Sequence, residues 1–330
     1  MWSLPRPPEA TYVSRVQAGH YRDFDEFVAS VQGIDCSMTL QNAARHSWDI
    51  EAAELPGTRV QLGRLGSGNI VEGQSLRDMY VIYLPLSDTC EYLASGVTIE
   101  KDAFAILEPG CDCCLSTKLE HDWCSIFIPA DRLPAFSSPV EAEDAQGPMI
   151  CRTTGPNRHL ANRFRASVRE VLNAASREPE FGSSIAAEVA STDLMELGAA
   201  IIQSHTTEER SDRFDGRPKI TRREIVRAAQ EALEEREHYS VRELVATTGV
   251  TERTLRRAFQ EFFGVGPHRY LQLRSLHAIY RELRAAEPDE TSVSRVLADH
   301  GAWEFGRVAG RYQQLFGELP SETLRRRSPS

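Results

Sequence analysis

No apolar run in these 330 residues approaches the roughly 20 that a membrane span requires. The opening MWSLPRPPEATYVSRVQ also lacks a basic stretch followed by an apolar core and a small-residue cleavage site, so no secretory signal is visible and a cytoplasmic location is expected. Cysteine is sparse and odd in number. The seven residues at 36, 90, 111, 113, 114, 124 and 151 suit reduced thiols better than a disulfide framework. Low-complexity tracts are missing too. Positive charge is short overall: the net charge of −10 argues on its face against a polyanionic partner. The deficit is uneven, however. Residues 210–330 hold 22 Lys+Arg against 18 Asp+Glu, whereas residues 1–209 hold 16 against 30, so only the back of the chain is suited to approach phosphates.

A chain of this length exceeds the size at which one hydrophobic core keeps growing, and two domains are expected. From about 57 to 130, segments such as TRVQLGRL, MYVIYLPL, FAILEPG and CSIFIPA read as short strands separated by glycine-marked turns, an antiparallel barrel or sandwich. YRDFDEFVASVQ (21–32) places Phe24, Phe27, Val28 and Val31 at helical spacing, and 159–205 gives two amphipathic helices around a Glu-Pro-Glu-Phe-Gly break. The polar TTEERSDRFDGRPK (206–219) reads as a linker between a front domain, 1–205, and a helical back domain, 220–330, with the terminal RRRSPS frayed. The class is α+β, two domains.

Two near-repeats dominate the back domain. In SVRELVATTGVTERTLRRAFQEFFG (240–264), Ser240 with Glu243 forms a capping box, Gly249 supplies the left-handed turn, and Thr251 caps a second helix. Leu255, Ala258, Phe259 and Phe262 give that helix its apolar stripe and leave Glu252, Arg253, Arg256, Arg257 and Gln260 outward. In TSVSRVLADHGAWEFGRVAGRYQQLFGELPS (291–321) the pattern returns around Gly301, with Phe305, Val308, Tyr312, Leu315 and Phe316 inward and Glu304, Arg307, Arg311 and Gln314 outward. A capped helix with an arginine-bearing face after a glycine turn suits insertion into a DNA major groove. The stretch between the units, 267–286, spans roughly 30 Å as a helix, about one turn of B-DNA. Residues expected at DNA are Thr251, Arg253, Thr254, Arg256, Arg257, Gln260, Trp303, Glu304, Arg307, Arg311 and Gln314.

These residues resemble the AraC/XylS DNA-binding domain over about 220–327. The resemblance rests on Phe259 and Gly264, Pro267, Tyr270-Leu271, Arg274, Ala278, Leu283, Gly301, Phe316-Gly317 and Pro320-Ser321. The aromatic and glycine at 303 to 306 look most like the ethanolamine-operon regulators. Val245, Leu297 and Ala302 depart from the family pattern, and Gly306 and Gly310 weaken their helix by about 1 kcal/mol each relative to Ala. The front domain, with its KD turn at 101–102 and its closing WCSIFIPADRL, is similar to the cupin-like sensing barrel that precedes this domain in many members.

The resemblance implies a DNA-binding transcriptional regulator and not an enzyme, an activator, acting on double-stranded DNA as a homodimer with RNA polymerase and controlled by a small effector, with no cofactor. Fold alone does not dictate the effector. Arg64, Tyr80, Tyr83, Tyr92 and Trp123 combine stacking with hydrogen bonding and are the candidate effector contacts, with core packing or exposure as the plainer reading of each. Cys111, Cys113, Cys114 and Cys124, with His121 nearby, lack zinc-site spacing, and on a strand Cys111 and Cys113 share a face that Cys114 does not; buried thiols are expected and no metal. No HxH with a downstream Glu and His matches the metal-dependent cupin enzymes. The alternative is a thiol- or metal-dependent sensor, or a cupin-type enzyme, fused to DNA-binding helices.

Overall fold

The front of the chain is built on two long strands. In a computed structural model describing residues 16–31, 34–133, 151–204, 221–236 and 239–326, β2 (Ile34–Leu55) and β3 (Thr58–Ser75) pair antiparallel, and β1 (Val16–Tyr21) adds to the free edge of β2. The second edge of β3 is shared: its first half pairs with β9 (His121–Pro129), its second with β8 (Asp112–Thr117). The order continues through β4 (Met79–Pro85), β7 (Ala105–Leu107) and β10 (Arg152–Thr153) on one side, and β5 (Tyr92–Ala94) and β6 (Val97–Ile99) on the other. The result is a nearly closed antiparallel barrel. Its β-region begins at Val16, not near residue 57. The early strands escape a composition reading because IDCSMTLQNAARHSWDIEAAEL is rich in polar residues and alanine, and ladder partners on both sides hold β2 extended. The expected linker (206–219) and most of the terminal RRRSPS lie outside the described residues.

Strand alternation divides the apolar side chains between two cores. Val81 and Tyr83 of β4 and Trp123 and Phe127 of β9 point into the barrel; Ile82, Leu84, Cys124, Ile126 and Ile128 point out. The outward set is covered by α2 (Arg158–Arg177) and α3 (Ile185–Gln203), capped by Asn157 and Ser184, as the amphipathic spacing predicts. Both faces of β4 and β9 are therefore buried, which explains their nearly unbroken apolar sequences. A short helix, α1 (Phe24–Ser30), capped by Asp23, closes the barrel with Phe24 and Phe27. Each such fully buried side chain stabilises the fold by about 1.5–3 kcal/mol.

The back of the chain is helical: α4 (Arg222–Glu235), α5 (Val241–Thr248), α6 (Glu252–Phe263), α7 (Pro267–Ala285), α8 (Val293–Asp299), α9 (Phe305–Phe316) and α10 (Pro320–Arg325). α4 to α6 pack around Leu244, Leu255, Phe259 and Phe263 and onto Ile70 and Cys114 of the barrel's outer face. α7 to α10 join the core that fills the barrel, through Leu276, Tyr280, Leu297, Tyr312 and Leu315. No described helix is long and apolar enough to cross a membrane.

Candidate nucleic-acid interface and ligand cavity

α5 and α6 are set by local signals. The Ser240 hydroxyl accepts from the Glu243 amide while the Glu243 carboxylate accepts from the Ser240 amide and hydroxyl, and those two donors, with Arg236, hold that carboxyl down at about 2. Gly249 ends α5 at φ +66°, a left-handed conformation that side chains beyond Cα disfavour, and Gly301 repeats it at φ +69° after α8. Thr251 caps α6 through the Thr254 amide.

On α6 the stripe Leu255, Ala258, Phe259 and Phe263 is buried. Phe262, expected in that stripe, is half-buried at its edge, packing on this core while lying against Gly96 in the turn after β5. The helix begins at Glu252, so Phe263 completes the run from Phe259 at i+4. Thr251, Arg253, Thr254, Arg256, Arg257 and Gln260 are all exposed. Arg256 pairs with Glu252 and Arg257 with Glu261, each at 3.0 Å, whereas Arg253 makes no ion pair among the described residues. Such exposed pairs contribute little and exchange readily for phosphate or base contacts.

On α9, Tyr312 and Leu315 are buried, but Phe305, expected inward, is 36% exposed because it opens the helix beyond the reach of α7. Trp303 is 77% exposed, and Glu304, Arg307 and Gln314 are exposed beside it, with Arg307 bonded to Glu304 at 3.0 Å; Arg311 is half-buried. The groove between the two helix-turn-helix units is lined by His268, Arg274, Arg311 and His300, with Asp299 as the one carboxylate among its lining residues. Arg269 of α7 lies close enough to Arg311 for its charged form to be disfavoured, after burial, by that second guanidinium. This clustered cation was not in the sequence-derived set. Its signal was faint, a lone arginine in a helix read only as a spacer.

Inside the barrel, side chains from α1, β2, β3, β4, β8 and β9 line a small cavity of about 50 Å³. Tyr83 and Trp123 line it, stacked at 5.8 Å, and Trp123 lies where a Cβ on Gly63 would be, 2.5 Å from its ring. Tyr92 stands behind the wall: its hydroxyl donates to the Asp122 carbonyl and its ring meets His121 edge-on. Arg64 and Tyr80 are not in the cavity. Alternation turns both outward, Arg64 into an ion pair with Glu51 and Tyr80 against the core under α2 and α3. The polar lining residues Gln61, Asn69, Thr117, His121 and Ser125 were overlooked, although polar side chains at inward positions of apolar strands are a readable signal.

Cys111 and Cys113 face the barrel core and Cys114 the helical side, and burial raises all three thiols above their ordinary range. Among the described residues no His, Cys, Asp or Glu group is arranged to hold a metal ion.

Several bonds tie the barrel to the helical units. Gln41 Nε2 and Ser116 Oγ donate to the Phe263 carbonyl at the end of α6, at 3.1 and 2.7 Å. His46, in the irregular stretch of β2 where its register with β3 shifts, lies 3.2 Å from the Leu315 carbonyl near the end of α9. Tyr270 donates to Glu72, as does Gln230; Tyr280 and Arg284 donate to Asp23. Leu40 donates its amide to His277 Nε2, and burial pushes that histidine down to about 3.

Residues 244–326 match the family model of a helix-turn-helix domain. Two curated relatives from Pseudomonas putida are similar. XylDLEGF operon transcriptional activator 3 is 30% identical over 158 residues, 48% of this chain and 44% of that protein. XylDLEGF operon transcriptional activator 1 is 33% identical over 112 residues, 34% of this chain and 33% of that protein. The chain thus spans less than half the length of these relatives. The solved AraC-like transcriptional activator CuxR aligns over 81% of this chain and 96% of its own at 13% identity, with a TM-score of 0.38, too low to carry an argument. The C-terminal segment thus matches a helix-turn-helix domain, and the two relatives similar to it are named as transcriptional activators.

Proposed function

We propose that this protein is a sequence-specific DNA-binding transcriptional regulator, an activator, whose barrel takes a small effector. One observation carries the reading: two glycine-turned helical units on one chain both leave polar, arginine-bearing faces of their second helices in solvent, while the opposite faces are buried. Arg253, Arg256 and Arg257 supply guanine or phosphate contacts from α6; Arg307, Arg311 and Gln314 supply polar contacts from α9, with Trp303 and Glu304 just before it, the carboxylate suited to accept from a cytosine amine, and Arg269 adding charge beside Arg311. The exposed Trp303 and the glycine at 306 support kinship with ethanolamine-operon regulators within the family. Tyr83 and Trp123 are the effector contacts retained from the sequence.

The proposal includes a cytoplasmic homodimer that recruits RNA polymerase. Ile185, 80% exposed, and Val189 one turn along α3 offer an apolar strip to a second copy. The effector acts by biasing the contacts between barrel and helices, a shift between arrangements with different affinity for DNA. The test is binding of full-length protein to operator DNA selected from random sequence. Arg256→Ala with Arg257→Ala is expected to cost about 1–3 kcal/mol for each arginine that is bidentate to guanine. Unchanged affinity in the double variant would remove α6 from the interface.

A further inference from the structure

The polar end of the barrel cavity holds an unpartnered donor close to a weakly partnered acceptor. Trp48 Nε1–H donates to Ser67 Oγ at 2.8 Å, so the Ser67 hydroxyl directs its own proton to Asn69 Oδ1, also at 2.8 Å. That chain fixes the Asn69 amide with its Nδ2 turned away. Asn69 is 2% exposed and lines the cavity, and its Nδ2 has no hydrogen-bond partner among the described residues. A buried amide donor left unmade is costly, and a ligand atom in the cavity relieves it.

His121 supplies the complement. Its Nδ1 faces two carbonyls, Ser67 at 2.9 Å and Leu119 at 3.1 Å, and must carry the proton. Nε2 is therefore an acceptor, met by Thr117 Oγ1 only at the long distance of 3.5 Å. Burial pushes this imidazole down to about 4, so it is neutral near pH 7. No Asp, Glu, Lys or Arg is among the residues lining the cavity; the remaining walls are the neutral polar side chains of Gln61, Thr117 and Ser125, apolar side chains and the Tyr83–Trp123 stack.

We infer that the cavity binds an uncharged, flat, mainly apolar molecule bearing a hydroxyl or a primary carboxamide, which accepts from Asn69 Nδ2 and donates to His121 Nε2. This rests on the reading of the barrel as the effector site. A carboxylate of the same shape would give up its hydration without meeting a cation, and it has no proton for Nε2.

Full-length protein would be titrated near pH 7.5 with benzamide, benzyl alcohol and benzoate, following tryptophan emission, to which Trp123 contributes, and the melting temperature. Benzamide and benzyl alcohol should shift both, benzoate should bind at least about tenfold more weakly, and Asn69→Leu should weaken benzamide about tenfold. The benzamide–benzoate comparison uses the unaltered protein, so it stands even if the Asn69 variant fails to fold. Benzoate binding as well as benzamide would overturn the ligand class and leave the effector reading intact. No response to any of the three at several millimolar would overturn both, while selected-operator binding, measured in parallel, reports separately on DNA recognition.

Discussion

Gly310 sits between Arg307 and Gln314 on the exposed face of α9, and a Cβ built there meets nothing within 4 Å. Gly310→Ala should therefore raise the stability of the helical unit by about 1 kcal/mol, read as an increase in melting temperature. The same variant should bind operator less well, because a side chain at that point holds the backbone of α9 off the DNA; a rise in both quantities would place DNA elsewhere. Residue roles of this kind were legible where a local rule applied. Ser240, Gly249, Thr251 and Gly301 declare caps and turns through their own chemistry, and the arginines of α6 follow from helical period. Phe305 was misplaced because period alone does not say where a neighbouring element ends, and Arg64 and Tyr80 because residue type was weighed ahead of strand parity.

At the scale of elements, α1 joins the two halves of the molecule. Its Phe27 lines the cavity, its Phe24 meets Trp48 at 5.4 Å and His277 at 6.0 Å, and its N-cap Asp23 receives Tyr280, Arg284 and Arg326 from α7 and beyond α10. Asp23 is buried, so Asp23→Ala removes a helix cap and leaves guanidinium and phenol groups without their acceptor. The expected loss is about 3 kcal/mol in thermal or urea unfolding, with earlier release of the helical units from the barrel. A change under about 0.5 kcal/mol would show that the junction is held by apolar packing alone. The second duty of Asp23 could not be read from the sequence, because its partners lie some 257 residues away along the chain. β2 was illegible for a related reason, since its extended form is imposed by β1 and β3.

Over the whole molecule, the barrel rests on the C-terminal ends of α6 and α9, at Phe263 through Gln41 and Ser116 and at Leu315 through His46. Through these contacts a change in the barrel reaches both helices together. Two neutral buried histidines make the assembly sensitive to acid. His121 and His277 have their pKa values lowered to about 4 and about 3 by burial, whereas in the unfolded chain each takes up a proton near 6.5. The unfolded state binds more protons across that interval, so stability is full above about 6.5 and falls as pH drops towards 4, by about 2 kcal/mol per histidine at pH 5. Glu72, raised by burial, acts in the opposite sense and offsets part of this. Melting temperatures from pH 8 to pH 5 should decline, and His277→Gln, which keeps an acceptor for the Leu40 amide, should flatten the decline; an unchanged slope would mean that this histidine is already solvated.

The pairing of α6 and α9 as two reading helices is most directly tested by hydroxyl-radical and methylation footprinting of the selected operator across a salt series. Two contacted major-groove segments on one face of the duplex, about one helical turn apart, are expected, with affinity falling steeply as salt rises. Arg256→Ala with Arg257→Ala should erase one segment and Arg307→Ala with Gln314→Ala the other. A single segment untouched by either pair of substitutions, or an affinity indifferent to salt, would contradict the account.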